Sequence, residues 1–323
     1  MTASTDSDSS QMRIVFMGTP TFAVPSLDAL VDAGFKPVAV VTGPDRKRGR
    51  GQVLSGTPIK DAAIRHQISH IIQPEDVRSS EFAKDISALN PDIIVVVAFR
   101  ILPEEVFGAA RMGTFNLHGS LLPRYRGAAP INHAIMNGDS ETGVTTFFLK
   151  QRVDTGNVIL RRSMSIAENE TAGEVHDRMM HLGAEAVVDT VRLMVKGELQ
   201  TLAQDDSLAT GAPKIFRDDC LIDFDLDASN VHNKIRGLSP SPGAFSFLET
   251  QQIKVYRTRL SKGDANVEAE GGEIIRADQS LIVACGKGTI EILELQQAGK
   301  QRMTTADFLR GNRIAPGQKF QSS

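Results

Sequence analysis

Short apolar runs alternate with segments of helical periodicity from Met12 to about Lys196 of this 323-residue chain. Near-continuous apolar strands between amphipathic helices are typical of a largely parallel sheet covered by helices. The clearest helix signal is Thr171-x-x-Glu174, a capping box followed by an apolar face. The alternation therefore predicts an α/β domain with a mostly parallel sheet. Its strands are predicted at residues 13–17, 37–42, 92–98, 114–118, 144–149 and 158–166.

The pattern changes after Lys196. Residues 196–213 lose their periodicity and collect Gly, Asp, Gln and Ser, a composition typical of linkers. Beyond them, short alternating runs between polar turns predict a small antiparallel sheet or barrel, with one helix from Ser229 to Arg236. We therefore predict a disordered tail (1–11), an α/β domain (12–199), a linker (200–213) and a β-barrel domain (214–323).

Composition excludes several classes of protein. The chain is 41% hydrophobic and 23% charged, which is typical of a soluble globular protein and excludes wholesale disorder. The longest apolar run, residues 93–99, is far shorter than the ~20 residues that cross a bilayer. Cys220 and Cys285 lack the spacing of a zinc site or a disulfide framework. The first eleven residues are polar and acidic, without signal-peptide features. We therefore expect a protein of a reducing cytoplasm, without a disulfide framework or a thiolate zinc site.

A polar pair stands at the end of the strand predicted at residues 114–118. The two-residue period of a strand places Asn116 and His118 on one face, at the carboxyl end where open α/β sheets bind ligands. An amide donor and an imidazole there would hold a carbonyl oxygen and move a proton. On spacing alone, a structural role in a strand-end turn is an equally good interpretation.

Asp154-Thr-Gly156 resembles the triplet of aspartic proteases, but that chemistry needs a second such carboxylate, and the chain has no other Asp-Thr/Ser-Gly. Two interpretations remain open. Asp154 is either a structural residue of a tight turn or a carboxylate that orients and charges a histidine brought near it by the fold.

The net charge of −3 argues against a nucleic-acid partner, since phosphate binding requires Lys and Arg. One segment departs from this balance. Arg46, Lys47, Arg48 and Arg50 lie within five positions, in a glycine-flanked loop after the second predicted strand. Most basic runs are solvated surface, but a flexible loop near the ligand edge of the sheet favours contact with phosphate.

Together these motifs resemble the methionyl-tRNA formyltransferase family from Met12 to Pro316. The segment from Asn116 to Pro130 (NLHGSLLPRYRGAAP) is similar to the folate-site signature of that family, and Asp154-Thr-Gly completes its Asn/His/Asp set. Glycinamide ribonucleotide formyltransferase shares that core but ends after about 200 residues and lacks the second domain. Features outside the core match the tRNA-acting branch: GTPxFA (18–23), the loop at 44–51, and C-terminal marks at 214–215, 222–224, 295–300 and 311–317. In one departure, Arg100 stands where the family commonly has Gly.

The resemblance implies a Rossmann-like formyltransferase domain followed by an OB-like barrel that helps to hold tRNA. It implies formyl transfer from 10-formyltetrahydrofolate to the α-amine of methionyl initiator tRNA by a bacterial, cytoplasmic, monomeric enzyme without a metal. Asn116, His118 and Asp154 are the implied catalytic residues, Ser120, Leu121, Leu122 and Pro123 the folate-binding ones, and Arg46, Lys47, Arg48 and Arg50 the tRNA-binding ones. Two alternatives stay open: a formyltransferase of the same fold acting on a nucleotide sugar or other small amine, and an RNA-binding protein with a degenerate folate site.

Overall fold

The structure is a computed structural model that describes residues 12–48, 53–261 and 268–321. The tail predicted at residues 1–11 lies outside these ranges. The chain divides into two compact units. Unit 1 contains the residues up to Gly127 together with Gly143–Met164 and Asp177–Gly211, and unit 2 contains Ala128–Thr142, Ser165–His176 and the residues from Ala212 onward. Unit 1 thus includes most of residues 200–213, the segment that the sequence predicted to be a linker.

Helices and strands alternate along the first 196 residues of the chain, in the ranges that the structure describes. The helices in the described ranges are α1 (Val24–Asp32), α2 (Pro58–Arg65), α3 (Ser80–Ala88), α4 (Glu104–Phe107), α5 (Pro130–Met136), α6 (Ala172–Lys196), α7 (Ala228–Leu238) and α8 (Thr305–Gly311). The strands before α6 are β1 (Ile14–Gly18), β2 (Ala39–Val41), β3 (Arg46–Arg48), β4 (Val53–Ser55), β5 (Ile71–Ile72), β6 (Ile93–Val97), β7 (Gly113–His118), β8 (Arg126–Gly127), β9 (Glu141–Phe148) and β10 (Val158–Ser165). Those after it are β11 (Gly211–Ala212), β12 (Ala244–Leu248), β13 (Gln251–Leu260), β14 (Ile274–Ala277), β15 (Leu281–Ala284), β16 (Thr289–Gln297) and β17 (Met303–Thr304).

A seven-stranded sheet runs in the order β10-β9-β7-β6-β1-β2-β5. The pairs from β7 to β5 are parallel, whereas β7 and β9 are antiparallel. Every residue of β1 and β6 is buried, as expected for strands covered by helices on both faces. The predicted α/β architecture is confirmed, and its sheet places His118 at the carboxyl end of β7.

Helix α6 begins at the predicted capping box. The Thr171 amide donates to Oε2 of Glu174 over 2.8 Å, and the Glu174 amide donates to Oγ1 of Thr171 over 3.4 Å. Further along this helix, a Cβ added at Gly183 would lie 2.7 Å from a methyl carbon of Leu117. A glycine at this point therefore lets α6 pack directly on β7, the strand that carries Asn116 and His118.

Unit 2 contains an antiparallel sheet in the order β12-β13-β16-β15-β14, with β17 also paired to β16. The C-terminal segment joins its two edges: Lys319 bridges to Glu273 beside β14, and Phe320 bridges to Leu248 of β12. The Phe320 ring lies in the core, 5.7 Å from the ring of Phe224. The sheet therefore closes into a barrel, and the antiparallel architecture predicted for this region is confirmed.

The described helices include none that is long and apolar enough to span a membrane. Both cysteines are free and buried. Burial raises the pKa of the Cys285 thiol to about 12, so this side chain is a packing residue and not a nucleophile.

Candidate active site

His118 is buried at the carboxyl end of β7, with 6% of its surface exposed. Its Nε2 atom lies 2.8 Å from the carbonyl oxygen of Tyr125. Its Nδ1 atom faces Oδ2 of Asp154 at 3.9 Å, and its ring is nearly perpendicular to the ring of Phe147, with 6.4 Å between the ring centres. A carbonyl oxygen only accepts hydrogen bonds, so Nε2 carries a proton and Nδ1 is the nitrogen available for proton exchange.

Asp154 lies in the turn between β9 and β10, and its backbone φ of 56° is in the left-handed region. Its Oδ2 atom accepts a hydrogen bond from the Gly127 amide over 2.9 Å. The turn is tight, because a Cβ added at Gly156 would lie 1.5 Å from the carbonyl oxygen of Phe148. The turn therefore places the Asp154 carboxylate beside His118, which is the geometry that the second of the two interpretations requires.

Asn116 precedes His118 by two residues on β7 and is half-buried. It pairs with Val96 of β6 on one side and Phe147 of β9 on the other. No hydrogen bond joins its side-chain amide to another residue within 12–48, 53–261 or 268–321. The amide is therefore free to bind a ligand on the strand face that His118 shares.

The segment 120–123 follows directly after β7. The side chains of Ser120 and Leu122 are fully buried or nearly so, whereas those of Leu121 and Pro123 are half-buried. The Ser120 hydroxyl donates to the carbonyl oxygen of Arg124 over 2.6 Å, so it holds the shape of the segment. Of the four residues predicted to bind folate, Leu121 and Pro123 thus have side-chain surface available for a ligand.

Thr145 organises the segment from the neighbouring strand, and sequence reasoning missed it. Its buried hydroxyl donates to the Ser120 carbonyl oxygen over 2.6 Å and accepts from the Leu122 amide over 3.0 Å. Thr145 lies opposite His118 in the antiparallel register of β7 and β9. The sequence does not indicate that Thr145 lies opposite His118. The predicted sheet is mostly parallel, as β6 and β7 are, whereas β9 runs antiparallel to β7.

Gln204 is a second residue that the sequence did not indicate. Its side-chain amide nitrogen donates to the carbonyl oxygens of Asp154 and Gly156, and its oxygen accepts two hydrogen bonds from Arg126. The segment around Gln204 has no periodicity, and its composition predicts a linker. A polar residue in such a segment gives no sign that the chain returns to the site.

Residues 46–48 of the basic run form the first arm of a hairpin in which β3 pairs antiparallel with β4. Arg46 and Lys47 are exposed, and Arg48 ends β3, whereas Arg50 lies outside the described residues. The hairpin begins at Asp45, whose carboxylate accepts hydrogen bonds from Gln73 and Lys60. These two bonds lower the pKa of Asp45 and fix the base of the hairpin.

Arg100, the departure from the family pattern, folds against the chain near residue 75. Its guanidinium donates to the carbonyl oxygens of Pro74 and Glu75 and lies 5.3 Å from the centre of the Phe99 ring. Burial and the positive charge of Arg46 lower the pKa of Arg100. The side chain of Arg100 therefore bonds to the backbone of the segment before α3.

Within the described ranges, no three His, Cys, Asp or Glu side chains are grouped so that they could hold a metal ion.

Comparison with known proteins shows the family to which the chain belongs. The model for "Formyl transferase" matches residues 12–191, and the model for "Formyl transferase, C-terminal domain" matches residues 214–313. The chain therefore belongs to the formyl transferase family. Two curated relatives show which branch of the family the chain resembles. The methionyl-tRNA formyltransferase of Chlorobium luteolum is 48% identical over 94% of this chain and 97% of the relative. That of Citrifermentans bemidjiense is 46% identical over 95% of both chains. Within the family, the chain belongs to the methionyl-tRNA formyltransferases.

Solved structures share the fold at low identity. An N-formyltransferase from Helicobacter canadensis, determined with folinic acid and dTDP-3-aminofucose, has a TM-score of 0.67 and 19% identity over 87% of this chain and 98% of its own. A methionyl-tRNA formyltransferase from Clostridium thermocellum has a TM-score of 0.54 and 17% identity over 78% of this chain and 95% of its own. Sugar-acting and tRNA-acting enzymes thus share this architecture, so the fold alone does not define the acceptor.

Proposed function

We propose that this chain transfers the formyl group of 10-formyltetrahydrofolate to the α-amine of methionine esterified to initiator tRNA, giving N-formylmethionyl-tRNA for translation initiation. The buried pair of His118 and Asp154 at the carboxyl edge of the sheet carries this proposal. The identity of 48% to a methionyl-tRNA formyltransferase over nearly the whole length of both chains supports the tRNA acceptor over a nucleotide sugar.

His118 is the proton carrier in this proposal. Its Nε2 proton is held by the Tyr125 carbonyl oxygen, so Nδ1 takes the proton that the attacking amine loses. The imidazolium that results lies 3.9 Å from the Asp154 carboxylate, which stabilises its positive charge. The same Nδ1 atom then gives its proton to the departing nitrogen of the formyl donor, and His118 returns to its starting state.

Asn116 supplies the electrostatic stabilisation. Formyl transfer passes through a tetrahedral carbon whose oxygen carries negative charge, and a preorganised donor aimed at that oxygen lowers the barrier. The half-buried amide of Asn116 makes no hydrogen bond with another described residue and shares a strand face with His118, so it meets this need. Once protonated, His118 is the second donor. Asn116, His118 and Asp154 are therefore proposed as the catalytic residues.

Folate is proposed to lie against the segment 120–123. Leu121 and Pro123 offer apolar surface to a pteridine ring, while the buried side chains of Ser120 and Leu122 leave their backbone groups to read its edge. All four residues are thus part of the proposed folate wall, two through side chains and two through the backbone. The formyl donor acts as a co-substrate, and no metal takes part in the proposed steps.

Initiator tRNA is proposed to bind the hairpin and the barrel domain. Arg46, Lys47 and Arg48 form the hairpin arm β3, and these three residues together with Arg50 are proposed to contact phosphates of the acceptor arm. The barrel of residues 214–323 is proposed as a second tRNA-binding region, separate from the catalytic domain of residues 12–199, with 200–213 between them. We propose that the enzyme acts as a monomer in the cytoplasm.

One assay separates the candidate functions. The purified chain is incubated with 10-formyltetrahydrofolate labelled in the formyl carbon and with one of three acceptors: methionyl initiator tRNA, methionyl elongator tRNA or an amino-sugar nucleotide. We expect label on the α-amine of the initiator only. Label on the amino sugar would instead identify a sugar-acting enzyme. Binding of tRNA without transfer would identify an RNA-binding protein with a degenerate folate site.

A further inference from the structure

The side chain of Gln204 spans the turn that carries Asp154. Its Nε2 atom donates to the carbonyl oxygen of Asp154 over 2.9 Å and to that of Gly156 over 2.8 Å. Asp154 has a φ of 56°, a left-handed conformation that side-chain-bearing residues rarely adopt and that persists only when its surroundings impose it. The two hydrogen bonds fix the carbonyl groups on both sides of Thr155, and so they hold the turn in this conformation.

The orientation of the Gln204 amide is itself fixed. Its Oε1 atom accepts hydrogen bonds from Nε and Nη2 of Arg126, over 3.1 and 2.7 Å. Arg126 also pairs with Asp206 at 2.7 Å, and only 13% of its side chain is exposed. The guanidinium donates and never accepts, so the oxygen of Gln204 must face it and the amide nitrogen must face the turn.

The same network reaches the carboxylate of Asp154. Gly127, the residue after Arg126, donates its amide to Oδ2 of Asp154 over 2.9 Å. Gln204 thus holds the backbone of Asp154. The Asp154 carboxylate is held by the amide of Gly127, which directly follows the arginine that bonds to Gln204. This network sets where the carboxylate lies relative to Nδ1 of His118, which is 3.9 Å away.

We propose that Gln204 is a positioning residue for formyl transfer, which acts by holding Asp154 in the left-handed turn that aims its carboxylate at His118. The inference rests on the proposed catalytic role of Asp154. Gln204 has no place in substrate binding in this proposal. Its loss therefore lowers kcat and leaves the KM values for folate and tRNA close to those of the parent enzyme.

Two substitutions test the hydrogen bonds that the oxygen and the nitrogen of the Gln204 amide make. Gln204→Met keeps the size of the side chain and removes every hydrogen bond. Gln204→Glu keeps an oxygen for Arg126 but places oxygen, and negative charge, against the carbonyl groups of Asp154 and Gly156. We expect both variants to lose about tenfold or more in kcat, because small misplacements of a catalytic group cost this much. Wild-type kcat in Gln204→Glu would overturn the proposal, since the donors to the turn would then be dispensable.

Thr155→Val is the matched control. It removes the hydrogen bond from Oγ1 of Thr155 to the Arg152 carbonyl oxygen in the same turn and leaves both bonds from Gln204 in place. We expect this variant to keep its kcat. A loss in kcat as large as that of Gln204→Met would show that any perturbation of the turn is equivalent, which would overturn the specific role of Gln204.

A double-mutant cycle distinguishes positioning from general stabilisation. If Gln204 acts through Asp154, then Gln204→Met changes kcat by less than about twofold when Asp154 is already Asn. An undiminished tenfold effect in that background would overturn the proposal. Kinetics are measured well below the thermal midpoint of each variant, so that unfolding does not contribute. Normal kcat in the Asp154→Asn single variant would refute the proposed catalytic site. If Asp154→Asn lowers kcat but Gln204→Met does not, the catalytic site stands and only the role of Gln204 is refuted.

Discussion

Nε2 of His118 lies 2.8 Å from the carbonyl oxygen of Tyr125, and this contact determines which end of the imidazole can react. Tyr125 has a φ of 61°, so its carbonyl is set by a left-handed backbone at a non-glycine residue. With Nε2 committed to this bond, Nδ1 is directed to the Asp154 carboxylate. The orientation of His118 therefore depends on the shape of the loop after β7 as much as on the side chains around it.

The first prediction concerns the pair itself. We expect His118→Ala and Asp154→Asn each to lower kcat by about 10²–10³ or more, because proton transfer and stabilisation of the charged intermediate are each worth effects of this size. The measurement is the rate of formylation of methionyl initiator tRNA at saturating substrates. His66→Gln is the control, since His66 bonds to Asp28 in another part of unit 1. Near-normal kcat in either site variant would show that the residue is not catalytic.

The second prediction concerns the loop. Thr145→Val removes the hydroxyl that bonds to Ser120 and Leu122, while Thr146→Val removes a buried hydroxyl on the opposite face of the same strand, where it bonds to Thr190. Thr145→Val leaves the buried Leu122 amide without its partner, which costs about 1–3 kcal/mol. Thr146→Val leaves the Thr190 hydroxyl bonded to the Ala186 carbonyl oxygen, so we expect a smaller loss in its free energy of unfolding, measured in urea for both variants.

Only Thr145→Val should also lower kcat, by about tenfold, because only Thr145 holds the loop whose carbonyl orients His118. The comparison of kcat between the two valine variants is therefore the decisive measurement. Equal kcat values would mean that the hydroxyl of Thr145 contributes to stability alone and that the loop keeps its shape without it.

Local rules place the residues that are proposed as catalytic, and the resemblance to the family assigns their roles. Asn116 and His118 share a face through the two-residue period of a strand, and the parallel sheet puts that strand end at the ligand edge. The triplet of Asp154 predicts a tight turn, whose glycine is required by a close approach to Phe148. Each of these inferences uses residues within a few positions of one another.

The supporting residues could not be predicted in this way. Thr145 acts through the antiparallel pairing of β7 with β9, and Gln204 acts through the return of an aperiodic segment to a turn 50 residues earlier. Tyr125 contributes a backbone carbonyl, to which the identity of its side chain gives no clue. Such long-range contacts depend on how the elements pack, and no periodicity encodes them.

The third prediction concerns the hairpin. Replacing Arg46, Lys47, Arg48 and Arg50 with serine should raise the KM for tRNA and leave folate binding unchanged, because the proposed contacts are to phosphate only. Each phosphate contact contributes about 0.7–0.9 to the slope of log affinity against log salt, so we expect the slope to fall by about 3. Filter binding of initiator tRNA across a range of salt concentrations measures it.

The control for this variant is an equal change of charge elsewhere in unit 1. Four exposed cations outside the hairpin are suitable: Lys36, Arg65, Arg78 and Lys84. Neutralising them should change the salt slope much less. Equal slopes for the two quadruple variants would mean that the net charge of the unit, and not the hairpin, determines the affinity for tRNA.

The fourth prediction concerns His232, a buried histidine of unit 2 that the sequence analysis did not single out. Only 2% of its surface is exposed, and its ring nitrogens lie 2.8 Å from Oγ1 of Thr258 and 3.2 Å from the carbonyl oxygen of Glu168. Burial lowers the pKa of His232, with a smaller contribution from the charge of Arg236. The neutral imidazole is therefore the form that the folded state favours.

The effect of pH on the free energy of unfolding depends on whether the folded or the unfolded state of His232 binds a proton at the higher pH. The unfolded histidine, with a pKa of about 6.5, takes up a proton at a higher pH than the folded one. The contribution of His232 is thus fully present above about pH 6.5 and is lost as the pH falls through that value. We expect His232→Gln, which keeps an amide to bond to Thr258, to weaken the dependence of stability on pH between about 7.5 and 5.

The chain offers a specific probe for this measurement. It has no tryptophan and two tyrosines, Tyr125 in unit 1 and Tyr256 in unit 2. In a Tyr125→Phe background, tyrosine fluorescence reports the urea unfolding of unit 2 alone. Other groups titrate in the same range, so the quantity to compare is the loss of unfolding free energy between the two pH values, with and without His232. A loss that is equal in the two proteins, or greater in His232→Gln, would contradict the prediction, because the buried imidazole would then bind protons as readily folded as unfolded.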